Sequence, residues 1–219
     1  MSESPPGSIF PNPRHAPREA PLGMGAELSV EILQDAYRHG IFPWYSPGQP
    51  ILWWSPDPRF VLRPSELKIP RSLSKEMRKP HWEVTYDQAF AQVIRACAAS
   101  PRPGQHGTWI TCEMVTGYEA MHAAGLAHSA ECWVNGELVG GCYGIAIGAM
   151  FAGESMFYRK ADASKVAFAN LALRLRDRGF RFIDCQQHTD HLARFGATDW
   201  RRDDFLDELA IAVAEPSRW

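Results

Sequence analysis

Residues 127–158 carry the pattern that most limits the fold. An Asn135-Gly136 pair separates two β-like runs, AHSAECWV and ELVGGCYGIAI, and Gly148-Ala149 separates the second from a third, MFAGESMFY. Asn-Gly is the preferred chemistry of a two-residue hairpin, because both central residues must take positive φ. The runs therefore predict a three-stranded meander, and their many small residues let a ligand or another backbone come close. One carboxylate, Glu154, stands in the third run between Gly153 and Ser155. From this stretch alone it reads either as a solvent-facing charge or as a group held at a site.

The rest of the chain surrounds this meander with alternating elements. Residues 1–25 hold six prolines and predict an extended or irregular start. Leu28 to His39 predicts a helix capped by Ser29, with Val30, Leu33 and Tyr37 on one face and Gly40 at its end. Residues 51–54 and 60–63 predict short strands with Ser55-Pro-Asp-Pro as the turn between them. Ser72–Lys79 predicts a short helix. Trp82–Tyr86 predicts a strand, and Asp87 a cap for the helix carrying Phe90, Val93, Ile94 and Cys97. A Pro/Gly loop at 100–107 leads to a helix capped by Thr111. After the meander come a long helix from Asp162 to about Arg178, a strand at 180–186, a short helix at 188–195 and a last helix through Phe205, Leu206, Leu209 and Val213. Hairpin-joined strands followed by a helical crossover predict an α/β fold of α+β layers around a mixed sheet. The expected organisation is a small α+β N-terminal domain at 1–63 with a Pro/Trp-rich loop, a basic connector at 64–81, and a catalytic domain at 82–219.

Composition narrows the function. The net charge of −2 gives no global basic field, but residues 63–81 hold six Lys or Arg against two Glu. Arg71, Lys75, Arg78 and Lys79 fall near one side of the expected helix, either as a solvated face or as a patch able to hold a nucleic-acid backbone. Five scattered cysteines with no Cys-x-x-Cys pair predict reduced thiols in a cytoplasmic protein, not a disulfide framework or zinc site. No run reaches the roughly 18 apolar residues of a membrane span, and the N-terminus lacks a secretory signal pattern. Neither a G-x-S-x-G elbow, a G-x-G-x-x-G turn nor a Walker lysine is present. Asp184 is flanked by Phe182, Ile183 and Cys185, which predicts burial. A buried carboxylate is costly unless paired or used. Strand alternation places Gln186 on its face, so the pair reads as a structural Asp with a neighbour, or as groups that hold and deprotonate an amine.

The order Gly40-Ile-Phe-Pro-Trp-Tyr-Ser-Pro, Ile51-Leu-Trp-Trp-Ser-Pro-Asp-Pro-Arg59, Gly107-Thr-Trp-Ile-Thr111, Ala127-His-Ser, Leu138-Val-Gly-Gly, Gly153-Glu-Ser-Met-Phe157, Ala163-Ser-Lys165, Ile183-Asp-Cys-Gln186 and His191-Leu closely resembles the leucyl/phenylalanyl-tRNA–protein transferase family nearly end to end. Two departures stand out: Gly25-Ala26-Glu27 replaces the family's usual Gly-Gly-Asp, and Cys142 takes a place that often holds a larger residue, commonly Met. The resemblance implies a C-terminal domain with an acetyltransferase-like (GNAT) fold. It also implies transfer of Leu or Phe, less well Met, from aminoacyl-tRNA to an N-terminal Arg or Lys, marking the acceptor for degradation. No cofactor or metal is implied, and a monomer suffices.

By the same resemblance, Asp184 is the base, directly or through Gln186, which orients the attacking amine. Trp44, Trp109, Cys142, Phe151, Met156 and Ile183 line an apolar aminoacyl pocket with Glu154 at its polar edge. Tyr37 and the Trp-rich loop stack on the terminal adenosine. Arg71, Lys75, Arg78 and Lys79 hold acceptor-stem phosphates. A narrow mouth admits Leu, Phe and Met and rejects Val and Ile by steric exclusion. The rival readings are a non-catalytic module that binds N-terminal Arg/Lys degrons and an acyl-CoA N-acetyltransferase. The second lacks the pyrophosphate loop it would need.

Overall fold

Asn135 and Gly136 take φ of 52° and 76°, so the hairpin closes through the left-handed conformations its sequence favours. The structure, a computed structural model, describes residues 4–5, 7–100 and 108–219. Apart from Ser100, the loop expected at 100–107 lies outside the described residues. In chain order the elements are β1 (Gly23–Met24), α1 (Val30–Arg38), β2 (Phe42–Pro43), β3 (Leu52–Trp54), β4 (Arg59–Leu62), α2 (Arg71–Met77), β5 (Glu83–Tyr86), α3 (Phe90–Ala99) and α4 (Cys112–Ala123). Then follow β6 (Ala127–Val134), β7 (Glu137–Ile147), β8 (Met150–Tyr158), α5 (Ala163–Asp177), β9 (Phe182–Gln186), α6 (Asp190–Ala193), β10 (Thr198–Trp200) and α7 (Arg202–Ala214). Ser29 accepts from the Ile32 amide and Thr111 from the Met114 amide, as their cap positions require.

The expected mixed sheet is a seven-stranded one, ordered β10-β4-β9-β8-β7-β6-β5, in which only β8 and β9 run parallel. The parallel pair is joined by α5, as a crossover helix must. One face packs Val166, Ala167, Phe168 and Leu171 of α5 against Cys142, Phe151 and Ile183. The other packs Phe90, Val93 and Ile94 of α3, Met114 and Tyr118 of α4, and Phe205 and Leu209 of α7 against Tyr143, Ile145 and Phe182. A small sheet, β1-β3-β2, sits beside this core.

One local expectation is narrowed and another corrected. Ser55-Pro-Asp-Pro bends the chain between β3 and β4 as expected, but the two strands do not pair with each other. β3 pairs with β1 and β2, whereas β4 enters the large sheet between β9 and β10. Two prolines remove backbone donors that a hairpin ladder would use, while Asp57 is engaged by the Arg202 amide at 3.1 Å. Asp87 also does not cap α3, which starts after Ala89 with no side-chain cap. Asp87 has φ 58° and accepts from the Ser129 amide at 2.9 Å and the Trp219 indole at 2.6 Å, and it contacts His128 Nδ1 at 2.9 Å.

Candidate active site

Two bulges on neighbouring strands build the site. Between β7 and β8, Tyr143 faces Ser155 and Gly144 faces Gly153, so Glu154 is an extra residue with no partner across the ladder. The bulge reverses the alternation along β8. Phe151 and Met156, five positions apart, consequently both pack on the α5 side. Between β4 and β9, Gln186 faces Phe60 and Asp184 faces Val61, which leaves Cys185 extra, and Gln186 takes φ 64°. The parallel pairing of β8 with β9 ends at Ala152 and Asp184, although both strands continue. Past that point Gln186 Nε2 donates to Glu154 Oε1 at 2.7 Å.

These side chains open on a cavity of about 710 Å³, within the roughly 300–1,000 Å³ usual for small-molecule sites. Trp44, Trp109, Cys142, Phe151, Glu154, Met156 and Ile183 all line it, together with Gln186. Phe42 and Pro43 of β2, Phe168 and Leu171 of α5, and His191 of α6 are also part of the wall. Sequence reasoning does not single out these five as lining residues. Phe168 and Leu171 lie three apart on α5, a helical spacing that sequence alone assigns to core and not to a cavity.

Glu154 is the polar centre. Tyr118 donates to its Oε2 at 3.0 Å, and the Tyr37 and Tyr118 hydroxyls meet at 2.5 Å. Burial lifts the Glu154 carboxyl to about 7, and the Asp184 charge adds to the lift. Hydrogen bonds from Tyr37, Tyr118 and Gln186 act against both. The same burial and the nearby Glu154 charge push both tyrosines well above their ordinary range, so they remain donors. A carboxyl that titrates near neutrality at the edge of an apolar cavity can exchange a proton with a bound amine.

Asp184 sits elsewhere. It is 1% exposed and does not line the cavity. Arg59 Nε donates to its Oδ1 at 2.7 Å and Arg59 Nη2 to its Oδ2 at 2.6 Å, while the Gln186 amide reaches Oδ1 at 2.9 Å. Arg59 is itself fully buried, donates to the Gly40 carbonyl, and lies between the Phe42 and Phe205 rings. The carboxylate thus faces a guanidinium and not the cavity, and its link to the cavity runs through Gln186. The bulge at Cys185 breaks the strand alternation that would place Gln186 on the same face, and the two residues meet through the Gln186 backbone amide.

Tyr37 is corrected. It is 1% exposed and its hydroxyl belongs to the Glu154 network, so its ring offers no face to a nucleobase. Arg71, Lys75, Arg78 and Lys79 are exposed on and just after α2. Lys79 pairs with Glu76 at 2.7 Å, and Arg78 donates to Ser74. None of the four lines the cavity. Among the described residues there is no cluster of metal-ligating side chains, and no helix is long and apolar enough to cross a membrane.

The family model for the leucyl/phenylalanyl-tRNA protein transferase matches residues 61–210, and that for the family's N-terminal domain matches residues 26–57. A leucyl/phenylalanyl-tRNA–protein transferase of Myxococcus xanthus is 55% identical over 210 residues, 96% of this chain and 90% of that protein. The chain belongs to the leucyl/phenylalanyl-tRNA–protein transferase family. Its counterpart in Solidesulfovibrio magneticus is also 55% identical, over 94% of this chain and 84% of that protein. The chain is thus an aminoacyltransferase that moves an aminoacyl group from tRNA to protein. Among solved structures, a GCN5-related N-acetyltransferase from Kribbella flavida gives a TM-score of 0.40 at 11% identity, over 76% of this chain and 59% of that one.

Proposed function

We propose that this transferase moves Leu or Phe, and less well Met, from aminoacyl-tRNA to the N-terminal Arg or Lys of acceptor proteins, in the cytoplasm, marking them for degradation. The carrying observation is the Glu154–Gln186 pair at the polar edge of an otherwise apolar cavity. Trp44, Trp109, Cys142, Phe151, Met156 and Ile183 receive the aminoacyl side chain. Gln186 holds the acceptor amine beside Glu154. The α-ammonium gives one proton to the Glu154 carboxylate, whose affinity near 7 lies within about one unit of the roughly 8 of an α-amino group. The freed nitrogen attacks the ester carbonyl, a C–N bond replaces the C–O bond, and the tRNA hydroxyl leaves with a proton. The ester is already activated, so positioning and proton transfer are the enzyme's main work. Asp184 acts here as a positioning residue. It fixes the Gln186 backbone and adds negative charge that raises the proton affinity of Glu154.

A direct assay tests this reading. Radiolabelled Leu-tRNA is incubated with a protein bearing N-terminal Arg, and labelled acetyl-CoA with the same protein in a parallel tube. Label enters the protein from the first tube alone. Label from acetyl-CoA would make the cavity an acyl-CoA site, and binding without transfer would leave a degron-recognition module.

The exposed cations on and just after α2 support a second interaction, with acceptor-stem phosphates. Neutralising Arg78 and Lys79 weakens aminoacyl-tRNA binding and reduces the slope of log affinity against log salt by about 0.7–0.9 for each phosphate that is no longer neutralised. An unchanged slope would make this an ordinary solvated face.

A further inference from the structure

Gly144 leaves a slot in the α5 side of the sheet. A Cβ at that position would meet the Ala152 carbonyl at 2.1 Å and the Phe151 ring at 2.5 Å, so backbone and ring together occupy the volume that any side chain would fill. Across the sheet, Gly144 faces His128 on β6. The Trp219 ring covers this row, stacked on His128 at 4.2 Å and 21° and lying 5.9 Å from Phe151 at 24°. Its indole nitrogen donates to Asp87 at 2.6 Å. Arg174 of α5 places its guanidinium 4.3 Å from the Tyr86 ring and 5.2 Å from that of Trp219. The segment leading to Trp219 is fastened as well. Glu215 bonds Arg181 and Arg218, and the side chain of Arg178 donates to the carbonyl of Arg218.

Phe151 therefore has two surfaces. One lines the cavity, and the other rests on a residue that lies outside it. A ring confined by a glycine slot and a stacked indole has little room to yield, because packed interiors leave few voids to move into. We infer that Trp219 is a specificity-determining positioning residue: by holding Phe151 in the Gly144 slot, it sets the depth of the aminoacyl pocket and with it the preference between leucyl and phenylalanyl donors. This inference rests on reading the cavity as the aminoacyl pocket. Removing the indole gives Phe151 space to withdraw. The floor of the deeper pocket then lies beyond the reach of the short leucyl side chain, while the longer phenylalanyl one still fills it.

The experiment compares kcat/KM for Phe-tRNA and Leu-tRNA in Trp219→Phe, Trp219→Leu and Trp219→Ala, with Phe151→Ala as a reference and circular dichroism to establish folding. The Phe/Leu ratio stays within about twofold of native in W219F and rises progressively in W219L and W219A. A rise of about tenfold in W219A matches the discrimination of roughly one methylene in a hydrophobic pocket. A residue that only stabilised the fold would lower both activities together and leave the ratio alone. Should W219A fail to fold, W219L decides. A native ratio in folded W219L, with F151A shifted, overturns the inference. A native ratio in F151A as well overturns the reading of the cavity instead.

Discussion

Glu154→Gln enzyme transfers leucine about 10²–10⁴-fold more slowly than the native protein, the usual loss when a positioned general base is removed. Native kcat rises with pH through a midpoint near 7, because the carboxyl must be ionised to accept the proton and burial has lifted it to about 7. In Glu154→Gln that midpoint vanishes. Stability moves the opposite way. The folded carboxyl binds its proton more tightly than the unfolded one, whose ordinary value is 4.5, so its contribution is fully present below about pH 4.5 and is lost as pH rises through 7. Above that point the ionised group costs the fold about 3 kcal/mol at 1.36 kcal/mol per unit. The Gln variant escapes this cost, although its amide can offer only one oxygen to the two donors, Tyr118 and Gln186. It therefore melts higher than the native protein at pH 8.5 and gains nothing at pH 4. Thermal melts at the two pH values, beside single-turnover rates, decide it. A native rate profile in the variant removes Glu154 from proton transfer.

Asp184→Ala leaves the Arg59 guanidinium buried with no counter-charge. Breaking such a pair costs about 3–5 kcal/mol, which lowers the melting temperature by on the order of 10 °C for a chain of this size. Loss of transfer in that variant would accordingly say nothing by itself about catalysis. Two companions resolve the roles. Arg59→Met with Asp184→Leu removes both charges together and recovers most of the stability, since a packed apolar pair often replaces a buried ion pair without loss. Asp184→Asn keeps the shape but removes the like charge that raises Glu154, so the midpoint of its pH–rate profile moves below 7 and does not disappear. A profile that vanishes in Asp184→Asn and survives in Glu154→Gln would return the proton to Asp184.

Residue patterns carried the meander and the helices, because Asn-Gly, Ser29, Thr111 and the spacing of Phe90, Val93, Ile94 and Cys97 are local instructions. The lining of the cavity came from motif resemblance, not from physical reading. The place of Glu154 at the pocket edge came from the same resemblance, but its hydrogen-bond network lay in neither. It depends on a bulge that exists only when two strands pair, and on tyrosines from α1 and α4, remote in sequence. Asp184 shows a similar limit. Burial was legible from its neighbours, but its partner lies 125 positions away. Tyr37 is different, since its place on the face of α1 with Val30 and Leu33 already announced a buried ring. The stacking role required an exposed one.

Strand β4 comes from the first third of the chain, yet it lies inside the large sheet, with β9 on one side and β10 on the other. Its first residue, Arg59, also supplies the cation that neutralises Asp184. A truncated chain beginning at residue 64 would therefore split the sheet. It would strand β10 without a neighbour, strip β9 of one whole row of hydrogen bonds, and leave an open edge ready to pair with another chain. The N-terminal segment is thus no detachable accessory to the transferase. It is the seam that closes the enzyme's own sheet.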